Sequence, residues 1–165
     1  MLPIGALAPD FELPLHTGDT FHLSSHRKKH HVILYFYPKD FTWGCTQEGC
    51  LFSEHLKTIQ SLEGVVVGIN SDSLELHRSF AEHYNLGFPL ASDTHLEVCR
   101  NYRALWLRGF AIKRITYVID KRGIIQGKAH HELLIDKHWE YVLRTLNELY
   151  QNDQARTYNR KYWDL

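Results

Sequence analysis

The sequence predicts an α/β domain with a mixed central sheet flanked by helices, and three features support this prediction. Two apolar runs rich in β-branched and aromatic residues, 32–37 and 65–70, are typical of buried strands. A helical pattern over 44–62 separates them, and a strand, a helix and a strand in succession imply a right-handed parallel crossover. A later strand at 115–119 is followed by a turn and a hairpin partner at 124–128, which makes the sheet mixed.

The chain that precedes this sheet contains a hairpin. Residues 10–13 and 20–23 are predicted to pair at an edge, with Gly18 and Asp19 in the turn between them. A polar, basic stretch over 24–31 then leads into the first buried strand.

Three further helices follow from local signals. Ser73 can cap a helix over 74–85, and a shorter helix is predicted over 94–103. The last helix is predicted over 134–150, where helical spacing places most apolar residues on one stripe. The members of this stripe are Leu134, His138, Tyr141, Val142, Thr145, Leu146 and Leu149.

Residues 3–150 are predicted to form one domain and residues 151–165 a polar tail. A chain of 165 residues is long enough to bury a core and needs no second domain. Because the tail also contains Tyr158, Tyr162 and Trp163, three alternatives stay open for it. It can be disordered, pack back on the domain or contact a partner.

The charge balance and the cysteine count restrict the classes of partner and compartment. Lys and Arg together number 19, as do Asp and Glu, so the chain lacks the basic excess that binding to nucleic acid or to an anionic membrane requires. The N-terminus shows no basic leader and no segment reaches transmembrane length, which predicts a cytoplasmic protein. Three cysteines in such a chain indicate redox or nucleophilic chemistry rather than a secreted disulfide framework.

The segment from Pro38 to Cys50 carries the strongest functional signal. It places Cys45 where a buried strand gives way to a helix, and Cys50 follows five positions later. The unpaired N–H groups and the positive end of the macrodipole at a helix N-terminus favour the thiolate form of a cysteine. The pattern therefore predicts a reactive cysteine at position 45.

This segment resembles the peroxiredoxins, and within them the bacterioferritin-comigratory-protein or peroxiredoxin Q group. Pro38, Thr42 and Cys45 meet the family's P-x-x-x-T-x-x-C motif, and Cys45 and Cys50 meet the C-x-x-x-x-C spacing of the group. Other segments resemble the family in the family's order, namely Pro9 to Phe11, Asp72 with Ser73, Phe88 to Asp93 and Arg114 to Asp120. The resemblance covers residues 3–150 and implies a thioredoxin-like fold.

The resemblance further implies a thioredoxin-dependent peroxidase that reduces hydrogen peroxide and organic hydroperoxides without a cofactor. Cys45 is then the residue that attacks the peroxide and becomes a sulfenic acid. Arg114 and Thr42 bind the peroxide and stabilise the transition state, and Pro38 shields the site from water. Glu48, one turn after Cys45, is a candidate to orient Arg114.

By the same resemblance Cys50 is the resolving thiol, which captures the sulfenic acid as an intramolecular disulfide with Cys45. In an intact helix, Cα atoms five residues apart are separated by about 8.6 Å. This exceeds the limit of about 7 Å for a disulfide, so the helix must unwind locally in each cycle. Gly44 and Gly49 lower helix propensity there and make unwinding easier. An external dithiol, thioredoxin by the resemblance, then reopens the disulfide.

Alternatives to this interpretation concern the third cysteine and the activity as a whole. Cys99 shares a helical stripe with Leu96 and Arg103 and is predicted to lie in the core, its alternative role being that of a substitute resolving thiol. The alternative functions are a thioredoxin-like binding module with structural cysteines and a disulfide exchanger without peroxidase activity. The expected oligomeric state is a monomer or a weak homodimer.

The 12 histidines raise the question of a metal site. Neighbours such as His30 and His31, or His130 with His131, lack the spacing that zinc sites show. His26 and His30 do share the helical i, i+4 spacing, although the secondary structure of that stretch is not clear from the sequence. We therefore expect solvated loop histidines and no bound metal.

Overall fold

A five-stranded mixed sheet forms the centre of the fold. The computed structural model describes residues 1–106, 109, 111–130 and 135–163, apart from the side chains of 135–138 and 159–163. In chain order the strands are β1 (Glu12–Pro14), β2 (Thr20–His22), β3 (His31–Phe36), β4 (Gly64–Asn70), β5 (Leu90–Ser92), β6 (Ile115–Ile119) and β7 (Ile125–His130). The helices are α1 (Trp43–Glu54), α2 (Leu56–Ser61), α3 (Leu74–His83), α4 (Glu97–Asn101) and α5 (Ile135–Trp163), and a 3-10 turn spans Leu23–His26.

The order of strands in the central sheet is β5-β4-β3-β6-β7. β3 pairs with β4 and β4 with β5 in parallel, whereas β6 is antiparallel to both β3 and β7. The predicted mixed sheet flanked by helices is thus confirmed. β1 and β2 form the predicted hairpin as a separate two-stranded sheet, and an isolated bridge between Leu15 and Ala91 links its end to β5.

The central strand β3 supplies both layers of the core. Its side chains alternate between a cluster that includes Leu34 and Phe36 and a second cluster that includes Ile33 and Tyr35. All six residues of β3 are buried because helices or loops cover both faces of the sheet. This explains why the strand appears in the sequence as a continuous apolar run.

The prediction of one continuous helix over 44–62 is wrong, since α1 and α2 are separated at His55. His55 has a non-helical backbone (φ −99°, ψ 10°), and its ring stacks on Trp139 of α5 at 4.4 Å between centroids. The apolar spacing continues through both helices, so the sequence pattern does not reveal the break at His55. The break accompanies the contact with α5, which is distant in sequence.

Two short elements also differ from the prediction. β5 was not predicted as a strand, because three residues are too few to show an alternating pattern. α4 is shorter than the predicted 94–103 helix, since its N-cap Leu96 has a left-handed backbone with a φ of +56° and the helix begins only after it. The carboxylate of Asp93 accepts hydrogen bonds from the backbone N–H groups of Glu97 and Cys99 in its first turn. The predicted cap of α3 is present, with Ser73 Oγ accepting from the N–H of Leu76 at 3.2 Å.

The last helix continues beyond its predicted end at residue 150, and α5 extends to Trp163. The apolar stripe ends at Leu149, but the next residues include no glycine or proline and remain compatible with a helix. Asp153 Oδ2 lies 3.3 Å from Nε2 of the buried His31 and 3.1 Å from Lys121 Nζ, so this part of the segment packs back on the start of β3. Residue 134, the predicted start of the helix, and residues 164 and 165 lie outside the described residues. No helix among the described residues combines the length and apolar character needed to cross a bilayer.

Candidate active site

Cys45 lies at the N-terminus of α1, close to the end of the central strand. Thr42 is the N-cap, with an extended backbone (φ −85°, ψ 146°), and its carbonyl oxygen accepts the first helical hydrogen bond from the N–H of Thr46 at 2.9 Å. Cys45 is therefore in the first turn, as the sequence predicts, and is only 1% exposed. Its sulfur faces the interior rather than bulk water.

Arg114 contacts the Cys45 sulfur from the neighbouring strand. Because Ile115 at the start of β6 pairs with Phe36 at the end of β3, the preceding Arg114 lies beside the loop that follows β3. Its Nη2 donates to Cys45 Sγ at 3.3 Å, and its Nη1 donates to Glu48 Oε2 at 2.6 Å. Burial opposes the charge of this guanidinium, but the surrounding Tyr35, Glu48 and Cys45 outweigh burial and raise the pKa of Arg114. The site thus holds a fixed cation against the sulfur.

The buried face of α1 explains how Glu48 enters the same site. Cys45, Glu48, Gly49 and Phe52 are the buried residues of this helix, at the spacing of one helical face. Glu48 therefore lies one turn below Cys45 and can reach the second amino group of the guanidinium. The candidate role of Glu48 as the partner that orients Arg114 agrees with this geometry.

Tyr35 is a site residue that the sequence reasoning missed. Tyr35 lies on β3, and its hydroxyl donates to the carbonyl oxygen of Cys45 at 3.3 Å. Burial, followed by the charges of Glu48 and Cys45, raises the pKa of Tyr35 well above its ordinary value, so the phenol remains a neutral donor. The available signal was a tyrosine within a fully buried strand, because such a hydroxyl needs a partner inside the protein.

Thr42 and Pro38 are on the loop before α1, and both are exposed. The Thr42 hydroxyl donates to the carbonyl oxygen of Lys39 at 3.0 Å. A hydroxyl has one proton to donate, so in this geometry Thr42 offers only its oxygen lone pairs to another molecule. The structure therefore brings Arg114 into direct contact with both Cys45 and Glu48, and leaves Thr42 and Pro38 exposed on the loop before α1.

The other two cysteines differ in environment. All three cysteines are free, and Cys50 is partly exposed on α1, outside its buried face. Burial and then the charge of Glu54 raise the pKa of Cys50. Cys99 is fully buried in the core, as the sequence predicts, and burial together with the neighbouring Asp93 raises its pKa strongly. Both thiols are therefore held in the neutral form.

A pair of histidines does have a close approach. The Nδ1 atoms of His26 and His30 are 3.4 Å apart, and the His26 ring stacks on Phe21. Within the part of the chain that the structure describes, no three histidine, cysteine or acidic side chains converge as a metal site would require. His131 and Glu132, which follow His130, lie outside that part.

Gly44 allows the guanidinium to approach the helix. A Cβ atom at this position would lie 3.0 Å from Arg114 Nη2, whereas a Cβ at Gly49 would meet Leu86 at an ordinary 3.5 Å. We expect Gly44→Ala to displace Arg114 and slow the reaction of the Cys45 sulfur with an added oxidant about three- to tenfold, since small misplacements near reacting atoms are costly. Stability should not fall, because alanine has the higher helix propensity by up to about 1 kcal/mol.

Gly49→Ala is the matched control for this prediction. It adds the same methyl group to the same helix without contacting Arg114, so its rate of oxidation in stopped-flow measurements should equal that of the wild type. Equal slowing by both variants would mean that helix stiffness, and not the position of the guanidinium, controls the rate.

The fold and the site place the chain among thiol-dependent oxidoreductases with a thioredoxin-like fold. More particularly, it belongs to the AhpC/TSA family, whose sequence model matches residues 4–128. It is 34% identical over 154 residues to peroxiredoxin Bcp of Bacillus subtilis, covering 90% of this chain and 97% of that protein. It is 36% identical over 146 residues to the chloroplastic peroxiredoxin Q of Sedum lineare, covering 88% of this chain and 78% of that protein.

Solved structures agree with these sequence relationships. Peroxidoxin BcpB from Mycobacterium tuberculosis has a TM-score of 0.83 at 32% identity, covering 90% of this chain and 99% of that one. Peroxiredoxin Q from Xanthomonas campestris has a TM-score of 0.80 at 28% identity, covering 90% and 97%. The resemblance to the peroxiredoxin Q group is confirmed, and with it the prediction that the chain is an enzyme, a thiol peroxidase.

Proposed function

We propose that Cys45 is the residue that reduces the peroxide and that Arg114 is its electrostatic partner. The observation that carries this proposal is the single guanidinium that donates to both Cys45 Sγ and Glu48 Oε2. Such a bridge fixes a positive charge beside the sulfur, where burial keeps water from screening it. The same guanidinium can then stabilise the negative charge that develops on the departing peroxide oxygen.

The first step is an in-line attack of the Cys45 thiolate on one peroxide oxygen. A sulfur–oxygen bond forms, the oxygen–oxygen bond breaks, and the second oxygen leaves as hydroxide or alkoxide and takes up a proton to become water or an alcohol. The sulfur is oxidised to a sulfenic acid and the peroxide is reduced. In this step Arg114 holds the leaving oxygen and the sulfur on the same side of the site.

Thr42 and Pro38 complete the proposed peroxide site at its surface. The Thr42 hydroxyl donates its proton to the carbonyl oxygen of Lys39, so its lone pairs are available to accept a hydrogen bond from the O–H of the hydroperoxide. This hydrogen bond would orient the hydroperoxide. Pro38 has no N–H and limits the number of water contacts at the entrance. A structural study of the Xanthomonas campestris bacterioferritin comigratory protein, 28% identical to this chain, concerns its alkyl peroxide reduction activity. This supports organic hydroperoxides, beside hydrogen peroxide, as substrates here.

The second step is resolution by Cys50. Its sulfur attacks the sulfenic sulfur of Cys45, a disulfide forms and water leaves. Both cysteines lie within α1, which must unwind locally because a helix holds them too far apart. Unwinding also removes Cys50 from the burial and from the Glu54 charge that raise its pKa, so the same motion activates the attacking thiol.

The third step is reduction of the disulfide by an external dithiol, which we propose to be thioredoxin. The dithiol is oxidised to its own disulfide while Cys45 and Cys50 return to thiols. A cycle that starts and ends with free thiols needs a reducing compartment, which supports the cytoplasm as its location. The equal numbers of acidic and basic residues give no support to nucleic acid or membrane as a partner.

Peroxide consumption with a chosen reductant tests this function. The purified protein should consume hydrogen peroxide and organic hydroperoxides, with one disulfide formed in dithiothreitol or thioredoxin for each peroxide lost. A disulfide exchanger would instead reduce insulin without any dependence on peroxide. A binding module would have no cysteine that reacts rapidly with peroxide at neutral pH.

Resolution can be tested with Cys50→Ser. The variant should consume one equivalent of peroxide, form the sulfenic acid on Cys45 and then stall or overoxidise, because no nearby thiol captures it. Steady-state turnover with thioredoxin should fall to background. In the wild type, one equivalent of peroxide followed by alkylation and peptide mapping should join residues 45 and 50.

Cys99→Ser is the matched control, since Cys99 belongs to the core on a different element. We expect its folded fraction to turn over at the wild-type rate. Normal turnover in Cys50→Ser together with failure in Cys99→Ser would assign resolution to Cys99 instead.

A further inference from the structure

A buried carboxylate lies within the loop that leads to the reactive cysteine. Asp40 is between Pro38 and Thr42 in sequence, yet it is only 3% exposed while both of these are exposed. Its Oδ2 faces His77 of α3, which is 0% exposed. Neither residue is used in the three steps proposed above.

The carboxylate of Asp40 is held from three directions. Its Oδ1 accepts from the Tyr37 hydroxyl at 2.7 Å and from Asn70 Nδ2 at 3.0 Å. Its Oδ2 lies 2.7 Å from Nδ1 of His77, where the imidazole N–H is the donor because the carboxylate accepts. The backbone N–H of Asp40 in turn donates to Asp72 Oδ2 at 2.8 Å. The loop is thereby tied to the ends of β3 and β4 and to α3.

The loop needs such an anchor because of its backbone. Phe41, directly after Asp40, has a φ of +59°, which is unfavourable for a residue with a bulky side chain. The next residue, Thr42, is the N-cap of α1, so any relaxation at Phe41 would move the helix N-terminus and Cys45 with it. Conformations of this kind persist only where surrounding contacts hold them.

The burial of this polar group also argues for a role in positioning. Removing a carboxylate from water is unfavourable, and a well-packed apolar group of similar volume is often as stabilising as a buried ion pair. Stability alone therefore gives little reason for an aspartate and a histidine here. A buried polar cluster does, however, restrict a loop to one geometry.

We propose that Asp40 and His77 are positioning residues for the peroxidase reaction. They hold the loop 38–42 in the conformation that presents Thr42 and the N-terminus of α1 to the peroxide. They also keep this loop fixed while α1 unwinds, so that the movement which joins Cys45 to Cys50 starts after Thr42. The inference rests on the proposed function and extends it to residues that touch neither the sulfur nor the peroxide.

Two substitutions at His77 separate the hydrogen bond from the ring. His77→Leu removes the hydrogen bond between position 77 and Asp40 Oδ2. In His77→Asn, the side-chain NH₂ lies where His77 Nδ1 was and can still donate to Asp40. Hydrogen peroxide should oxidise Cys45 about tenfold more slowly in His77→Leu and within about threefold of the wild-type rate in His77→Asn, since displaced reacting groups lose rate steeply. Reduction of the preformed disulfide by dithiothreitol should be equal in all three proteins, because α1 is already unwound in that state.

Val98→Ala serves as the stability control. Val98 is buried in α4, in the core cluster that includes Leu34 and Phe36. Its truncation therefore lowers stability without touching the loop 38–42. The folded fraction of this variant should be oxidised at the wild-type rate. If His77→Leu does not fold, Tyr37→Phe takes its place, because it removes one donor to Asp40 Oδ1 and keeps the aromatic ring.

The outcomes are distinct. Oxidation at the wild-type rate in folded His77→Leu, or in Tyr37→Phe where that variant replaces it, would overturn the inference. So would equal slowing in His77→Asn and His77→Leu, or equal slowing in Val98→Ala. A wild-type protein that forms no sulfenic acid with hydrogen peroxide would overturn the proposed function, and the inference with it.

Discussion

Replacing Cys45 with serine should abolish peroxide consumption. A serine hydroxyl stays protonated near neutral pH and is a poor nucleophile towards peroxide oxygen, even with Arg114 beside it. Loss of the attacking group should lower the rate by roughly a thousandfold or more, which leaves only the background reaction. The fold should survive, because sulfur and oxygen differ little in size and Arg114 Nη2 can donate to either.

The measurement is peroxide consumption by Cys45→Ser, Cys50→Ser and Cys99→Ser in the presence of thioredoxin, with a second assay in a single turnover. Cys45→Ser should fail in both assays, Cys50→Ser only in the multiple-turnover assay and Cys99→Ser in neither. Retained turnover in Cys45→Ser would show that the reactive sulfur lies elsewhere in the chain.

Local pattern was enough to place Cys45 at a strand-to-helix junction. The apolar run at 32–37 and the helical spacing after Cys45 are properties of neighbouring residues, and the structure has β3 and α1 there. The contact between Arg114 and the sulfur is different, since it spans 69 positions of sequence and depends on the pairing of β6 with β3. Only the resemblance to a family singled out Arg114 beforehand.

Contacts between distant elements account for what the sequence did not reveal. The break at His55 accompanies a ring stack with Trp139 of α5, and both partners look like ordinary helix residues in the sequence. Asp40 and His77 are 37 positions apart, and each resembles a surface residue until the fold buries it. A pattern of neighbouring residues cannot encode a pairing whose partners are set by topology.

Replacing Arg114 should have the second-largest effect on the reaction. Arg114→Gln removes the positive charge next to the sulfur and the leaving oxygen, and loss of one such donor costs about 10²–10³-fold in rate, or about 2.7–4 kcal/mol. Arg114→Lys keeps a charge but has a single ammonium group, which cannot donate to Cys45 and Glu48 in the same fixed geometry. We expect its rate constant for peroxide to lie between those of the wild type and of Arg114→Gln.

A loss of stability must be distinguished from this loss of rate. Arg114 and Glu48 are both buried, and removing one member of a buried ion pair costs about 3–5 kcal/mol because the remaining charge is left without its partner. The double variant Arg114→Gln with Glu48→Gln removes that charge as well, so it should recover much of the free energy of unfolding. It should not recover the rate of oxidation, since the cation beside Cys45 is still missing. If the double variant regained both stability and rate, the guanidinium would serve the fold alone, and another group would have to stabilise the charge that develops on the peroxide.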